Sequence, residues 1–340
     1  MRFFSIVLFA FFFNFSSCVF SKLKEANKKV ATLTEQKKYA ESKVAEQDSL
    51  SKVNTVLSTK IDQPVDSLEV KGDTMASLGQ LRDQKAKLIA RNRELTDTIA
   101  QYQNALKEIF AIEGNKAERV IFKDQSFDCY VAKTNNGQIQ FFLRDEDENK
   151  PYLSLNNLKT DLSKKGKQLV FASNAGMYMG NNEPQGLFIQ NGLELAPIDK
   201  KKDGYGNFYL QPNGVFFIDT AGLARVFTTK NYLQEKQITV KYATQSGPLL
   251  VIEGIINAKF TEGSSNKNIR NGVGIIDSNL VVFVISNKPV NFFDFASLFK
   301  EHFKCQNALY LDGAISRTYL PELARLELDG NFGPMIGILK

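Results

Sequence analysis

Apolar and polar positions follow three rhythms along the chain, and each predicts a different kind of structure. Behind Met1 and Arg2, the stretch from Phe3 to Phe15 is almost wholly apolar. It is too short to span a bilayer as a stable helix and has the charge order of a signal-peptide core, so export is expected. Lys22 to about Ile61 is rich in Lys, Glu, Ala, Gln and Leu and free of Gly and Pro, which reads as helix. Leu23, Ala26, Val30, Leu33, Ala40 and Val44 keep a three-four spacing that shifts at Leu50, Val53, Leu57 and Ile61, as a stutter would. After a breaker from Asp62 to Thr74, a second helix is expected to about Ile112. There Leu81, Leu88, Leu95, Tyr102 and Ile109 lie seven apart, and Leu78, Lys85, Asn92, Ile99 and Leu106 each precede one of them by three. This is a heptad seam with Asn92 at an a position, where a buried amide fixes register in parallel dimers.

Two geometries fit the pair of helices, each about 40 residues and roughly 60 Å long. One is a parallel oligomeric stalk, which makes the protein a homo-oligomer through its coiled coil; the other is an antiparallel hairpin folded back at Pro64. Asn92 favours the stalk, and in either case the segment is a spacer without a cluster suited to chemistry. Ahead of it, Phe15, Ser16, Ser17 and Cys18 resemble a relaxed bacterial lipoprotein signal, in which small residues precede the cysteine that becomes lipidated, although Phe15 stands where Leu is usual. The alternative is ordinary signal-peptidase cleavage with Cys18 removed or unmodified. The expected organisation is residues 1–18 as signal, 19–113 as coiled-coil stalk and 114–340 as a separate domain. The protein is then exported and held at the cell envelope by a lipid anchor on a bacterial membrane.

Beyond Gly114 the seven-residue period gives way to short apolar runs bounded by Gly, Asn and Pro. Strands are expected at 119–122, 127–132, 138–143, 168–172, 186–190, 207–210, 214–218, 248–252, 272–276, 280–285 and 307–311. Helices are expected from Leu155 to Lys164 and from Phe292 to Phe303. The fold class is α+β: a strand-rich, mixed-sheet domain preceded by a long helical coiled-coil stalk.

Composition narrows the chemistry. The 340 residues are 43% hydrophobic and 24% charged, enough for one large domain or two ordinary ones. With 43 Lys and Arg against 37 Asp and Glu the balance is mildly basic, and no dense basic run beside stacking aromatics stands out, so nucleic acid is not an expected partner. His302 is the one histidine. A Ser/His/Asp triad or multi-histidine metal centre would have to be built around it, yet its amphipathic helix makes it a surface or packing residue, leaving acid-base work to carboxylates. Cys129 and Cys305 lie in or before strands, and export permits a disulfide between them as readily as two buried thiols. No cysteine-histidine spacing suggests zinc.

Four loops at strand ends combine small and polar residues. Asn174 to Phe188, NAGMYMGNNEPQGLF, leaves a strand at Ala175 and Gly176 and carries Glu183 before Pro184. Thr244 to Val251, TQSGPLLV, places Gln245, Ser246 and Gly247 in a tight turn. Asn268 to Ile275, NIRNGVGI, sets Arg270 and Asn271 before a strand. Asn307 to Tyr319, NALYLDGAISRTY, delivers Asp312 and Gly313 to a strand end with Ser316 and Arg317 close behind. A carboxylate, a turn, a hydroxyl and a guanidinium in one short stretch suit an anionic or sugar-like ligand, though any one loop alone reads as an ordinary turn.

The order NAGM…GL, SGPLLV, RNGVG, NFFDFASLF and ALYLDG resembles the phosphodiester glycosidase family from about Phe171 to Tyr319. The resemblance implies hydrolysis at a sugar carbon bonded to a phosphodiester, with a phosphorylated glycan or glycoconjugate as the substrate. Such a reaction asks for a cation on the phosphate, donors for the leaving oxygens and a carboxylate to activate water or stabilise an oxocarbenium-like state. Arg270, matching the family's arginine, is then the phosphate clamp. Asp312, matching the LDG acid, is the general base or electrostatic carboxylate, and Glu183 is a second acid candidate. Asn174, Gly176, Gln245, Ser246, Gly247, Asn271, Gly313, Ser316 and Arg317 are expected to bind sugar or phosphate, while Asp294 caps a helix.

Because a phosphate monoester leaves readily, strong general-acid help and histidine are dispensable, and no cofactor is required. Asp312 and Glu183 could ligate a divalent cation, but no calcium-loop spacing is present. One departure stands out. Many relatives continue the last motif with glycines and then serine, whereas Ala314 and Ile315 follow Gly313 in this chain, restricting the loop. That favours the alternative of a non-catalytic envelope module that binds phosphorylated glycan through the same loops, whereas Asp312 and Arg270 together favour an envelope-anchored hydrolase.

Overall fold

The apolar runs beyond residue 114 fold into three sheets that share one aromatic core. The computed structural model describes residues 115–235, 237–312 and 315–340, together with scattered helical positions between Asp83 and Asp97. The chain divides into two units, Met1–Ile112 and Glu113–Lys340. In the first, the described positions are helical, with exposed ion pairs from Lys87 to Asp83 and from Arg91 to Glu94. The signal, Cys18 and the heptad seam through Leu81, Leu88, Asn92 and Leu95 lie outside the described residues. Among the described residues no helix is long and apolar enough to cross a membrane.

In the second unit, the first sheet runs β1 (Lys116–Phe122), β2 (Gln125–Lys133), β13 (Leu280–Ser286), β12 (Asn271–Asp277), β14 (Asn307–Asp312), β10 (Leu249–Ile252) and β11 (Ile255–Ile256). The second runs β16 (Arg325–Leu326), β15 (Thr318–Leu320), β4 (Leu169–Asn174), β17 (Met335–Leu339) and β3 (Ile139–Phe142). The third runs β6 (Leu193–Ala196), β5 (Phe188–Gln190), β9 (Val240–Ser246), β7 (Gly214–Asp219) and β8 (Ala224–Thr228). Every strand pairing among the described residues is antiparallel, which corrects the mixed sheets expected. Parallel neighbours need long crossovers, usually helical, and this domain has few helices to supply them.

Helix α1 (Leu155–Lys164) starts at Ser154, whose hydroxyl accepts from the Asn157 amide, and buries Leu155, Leu158 and Leu162 against Phe142, Leu169 and Met335 of the second sheet. Helix α2 (Thr229–Gln234) was not expected. Helix α3 (Phe292–Ser297) continues as a π-turn, Leu298–His302, in which His302 sits edge-on to Phe303. Asn291 caps α3: its oxygen accepts from the Asp294 amide and its nitrogen donates to the Asp294 carboxylate, so Asp294 orients the helix start. The strand expected at 207–210 is instead a short 3-10 turn, Asn207–Tyr209, that buries only Phe208.

Ring contacts tie the sheets together. Tyr130 (first sheet) stacks on Phe171 (second) at 5.3 Å, Phe171 on Phe283 (first) at 5.2 Å, and Phe283 meets Phe216 (third) at 6.0 Å. Phe216 meets Phe141 (second) at 5.6 Å, and Phe141 stacks on Tyr242 (third) at 5.4 Å. Each ring is nearly inaccessible, and burying a side chain of this size contributes roughly 1.5–3 kcal/mol. Cys129 and Cys305 are buried free thiols rather than a disulfide; burial pushes both thiols up in pKa.

Asp128 is a charge buried beside this core. Asp128, 3% exposed, takes Arg119 Nε at 2.6 Å, Arg325 Nη1 at 3.2 Å and Asn287 Nδ2 at 3.2 Å, linking β2 to β1 and to β16 of the second sheet. Burial works to raise its pKa, but the hydrogen bonds from Arg119, Asn287 and Arg325 outweigh it and hold the carboxyl below the usual range. A depressed folded pKa gives stability that is present above the unfolded value and lost as pH falls through the folded one. Asp128→Asn should therefore lower stability at neutral pH by about 3 kcal/mol and flatten the acid limb of the pH–stability curve, both measurable by urea unfolding. Phe283→Ala, which opens a hole between all three sheets, should cost about 3–5 kcal/mol in the same assay without changing the far-ultraviolet spectrum at low denaturant.

Candidate active site

Four strand ends meet where the sheets converge: Asn174 ends β4, Ser246 ends β9, Asn271 begins β12 and Asp312 ends β14. All four side chains are 5% exposed or less. Their order follows from the backbone. The Asp312 amide donates to Asn271 Oδ1 at 3.0 Å, so Asn271 must present its nitrogen the other way, to Asn174 Oδ1 at 3.1 Å and Asn174 O at 3.0 Å. The Arg317 amide also donates to Asn174 Oδ1 at 3.0 Å, leaving the Asn174 nitrogen to donate to Asp312 Oδ2 at 3.2 Å. Two main-chain donors thus fix both amide orientations, and the relay ends with an N–H aimed at the carboxylate. Such a bond favours the ionised acid.

The neighbours complete this frame. Ser246 Oγ donates to the Leu311 carbonyl at 2.6 Å, holding β14 to β9 across two sheets. Ser316 Oγ donates to the Asp312 carbonyl at 2.9 Å. At Gly176 a Cβ would lie 2.4 Å from both Gln245 O and Thr244 Oγ1, so only glycine permits that approach, and its amide donates to Thr244 Oγ1. Gly247 is equally confined, between Asn213 and the Phe208 carbonyl. Tyr178 lies near enough that its phenol is pushed up first by burial and then by the charge of Asp312.

Several expected roles change. Arg270, expected to clamp phosphate, is 0% exposed. Its guanidinium donates to Val290 O at 2.8 Å, Asn266 O at 3.0 Å and the Tyr310 hydroxyl at 3.3 Å, and its carbon lies 3.6 Å from the Phe292 ring centre. No carboxylate among the described residues is in ion-pair contact with it, and burial pulls its pKa down while Tyr310 opposes that. Arg270 is therefore a cation set under Tyr310, two residues before Asp312 on β14. Burial raises the Tyr310 phenol, with Arg270 acting against that shift and Asp312 adding to it.

Gln245, expected to bind substrate, is saturated by the protein. Its oxygen accepts from the Leu187 and Asp199 amides, and its nitrogen donates to Asp199 O and Thr229 Oγ1. Glu183 is ion-paired with Arg144 on the Tyr178–Pro184 loop. Arg317 remains at the rim, its side chain 37% exposed, with Nε on Asp329 at 3.0 Å; that bond raises its pKa. Gly313 and Ala314 lie outside the described residues, while Ile315 packs into the cluster of Tyr319 and Phe332. Thr244, Tyr178 and Tyr310 were missed, although each lies in or beside a loop whose motif stands out: Thr244 at the start of TQSGPLLV, Tyr178 inside NAGMYMGNNEPQGLF and Tyr310 two residues before Asp312. Among the described residues no group of three or more His, Cys, Asp or Glu could hold a metal ion.

Comparison with known proteins bears on this region. Residues 167–332 match the family described as phosphodiester glycosidase. The uncharacterized protein YigE of Escherichia coli (strain K12) is 36% identical over 169 residues, covering 49% of this chain; the chain spans 64% of that relative's length. Two solved structures are similar at 13% identity: the catalytic domain of zebrafish N-acetylglucosamine-1-phosphodiester alpha-N-acetylglucosaminidase, auto-inhibited by its pro-peptide, and a hypothetical protein from Synechocystis. Their TM-scores are 0.45 and 0.38, covering 66% and 67% of this chain and 82% and 62% of theirs. Likeness at that level says nothing about the site. The stretch that matches the phosphodiester glycosidase family takes in Asn174, Ser246, Asn271 and Asp312 alike.

Proposed function

We propose that this chain is an envelope-anchored hydrolase that cleaves a sugar-1-phosphodiester, with lipidated Cys18 as the anchor and the helical segment as a spacer. The observation that carries the reaction is the Asp312 carboxylate, buried at the meeting of three sheets and held by an oriented amide relay within the family-matched region. As the bond from the anomeric carbon to the phosphate oxygen breaks, positive charge grows on the sugar. An ionised Asp312 stabilises that charge or takes the proton of the attacking water. The phosphate departs as a monoester that needs little protonation, consistent with a site built without histidine.

The phosphate-holding role passes from Arg270 to Arg317, a partly exposed guanidinium whose main-chain amide shares Asn174 with Asp312. Arg270 acts through Tyr310, keeping that ring and β14 in place. The engagement of Glu183 by Arg144 leaves the site one carboxylate rather than two, and this favours a second reading: a module that binds phosphorylated glycan without cleaving it.

With the full chain and a panel of sugar-1-phosphodiesters, release of free sugar decides between these readings. Asp312→Asn should lower kcat by about a hundredfold or more with the thermal midpoint retained. Glu183→Gln should leave kcat within about twofold, since a half-exposed pair contributes little. Binding by the unaltered protein with no turnover assigns the module instead, and full activity in Asp312→Asn removes Asp312 from the chemistry. Arg270→Lys should destabilise by about 3 kcal/mol, because an ammonium cannot reproduce the stacked, three-way guanidinium contacts. Arg317→Ala should raise KM more than it lowers kcat.

A further inference from the structure

The loop from Lys200 to Gly206 serves none of the roles described above. It reads KKKDGYG, every residue in it is exposed, and Tyr205 is 100% exposed. Among the described residues none of Lys200, Lys201 or Lys202 is in an ion pair, so three adjacent like charges stand together with Asp203 as the one acid in the loop. A fully exposed aromatic ring beside unpaired cations has no packing rationale, but it suits a ligand that offers both anionic groups and ring faces.

The root of this loop is rigid and borders the candidate site. Gln245 grips Asp199 from both sides, accepting from its amide at 2.9 Å and donating to its carbonyl at 2.8 Å. The Asp199 carboxylate takes the Tyr209 hydroxyl at 2.8 Å and the Lys201 amide at 2.8 Å, and Gly204 lies against the Tyr209 ring. Gly206, at φ 94°, turns the chain back toward the Asn207–Tyr209 turn. Gln245 directly precedes Ser246, which holds the Leu311 carbonyl next to Asp312, and the Gln245 carbonyl faces Gly176 two residues after Asn174. The residue whose side chain was expected to bind substrate is thus the pedestal of an exposed cationic arm.

We propose that Lys200–Gly206 is a binding arm for a polyanionic glycan of repeating sugar and phosphate units. The lysines take phosphates flanking the one at Asp312, and Tyr205 lies on a neighbouring sugar ring. The position of cleavage rests on the hydrolase reading; binding by the arm does not. A nucleic acid is less favoured because its readers stack several bases, whereas Phe208 is buried and the Tyr209 hydroxyl is committed to Asp199, leaving Tyr205 alone.

The test uses the full chain, a homopolymer of N-acetylglucosamine 1-phosphate, the methyl phosphodiester of the single sugar, and a single-stranded oligonucleotide. Replacing Lys200→Gln, Lys201→Gln and Lys202→Gln together should raise the polymer Kd on the order of tenfold at low salt and flatten its salt dependence, because fewer counterions are released on binding. Tyr205→Ala should weaken polymer binding at high salt as well. Neither variant should alter KM or kcat for the methyl diester, and both should melt with the unaltered protein. If the unaltered chain cleaves neither compound while the variants still lose polymer binding, the hydrolase reading fails and the arm stands. If the methyl diester is cleaved but the triple variant binds polymer undiminished, or the unaltered chain does not bind it at all, the arm is overturned. Tighter lysine-dependent binding of the oligonucleotide than of the polymer would also overturn it, assigning the loop to nucleic acid.

Discussion

Three antiparallel sheets with few helices between them need something to hold their faces together, and here it is a continuous run of phenyl and phenol rings. Tyr130, Phe171, Phe283, Phe216, Phe141 and Tyr242 alternate among the sheets, each within 6.0 Å of the next. The chain holds 27 Phe and no Trp, which suits this use: a phenyl ring packs on both faces and edges and carries no polar atom that must find a partner. Everything at the strand ends depends on this contact, because Asn174, Ser246 and the paired Asn271 and Asp312 come from three different sheets and meet only if the sheets are locked in register.

That dependence explains how a carboxylate can be kept under cover near the ends of apolar strands. Removing Asp312 from water is costly unless donors replace the lost solvent. The Asn174 amide is such a donor, and because the Arg317 main-chain N–H fixes its orientation it needs no reorganisation when charge develops nearby. Arg270 is a different solution to the same problem. Its charge is met by carbonyls, a phenol and the face of Phe292, groups that spread positive charge without a counterion.

Much of this was legible in the chain. The strand carrying Asp312, the strands at 272–276 and 280–285, and helix α1 all show their periods plainly. Strand β9 does not, because VKYATQS buries the polar Thr244, Gln245 and Ser246 against neighbours rather than solvent. The strand-end motifs are visible in the chain but the surroundings of their side chains are not, for one physical reason: a sequence displays a side chain's chemistry but not its exposure. Gln245 and Arg270 look like ligand-binding groups until their partners appear, and those partners, such as Asp199 and Tyr310, are 46 and 40 residues away. The KKKDGYG run was equally visible, yet only the surrounding packing separates its one free ring from the buried Phe208.

The return of the chain after β14 has an evolutionary side. Its two ends are gripped by the same pair of amides, Asp312 by Asn271 and Arg317 by Asn174, and Ser316 reaches back to the Asp312 carbonyl. Both grips take main-chain amides, those of Asp312 and Arg317, so neither depends on the side chains of those two residues. The grips depend instead on residue number. One residue more or fewer would pull Arg317 off Asn174 and free the amide that steadies the acid. Across relatives the loop should therefore behave as a cassette of fixed gauge, variable in what it presents to a ligand and constant in the span it closes.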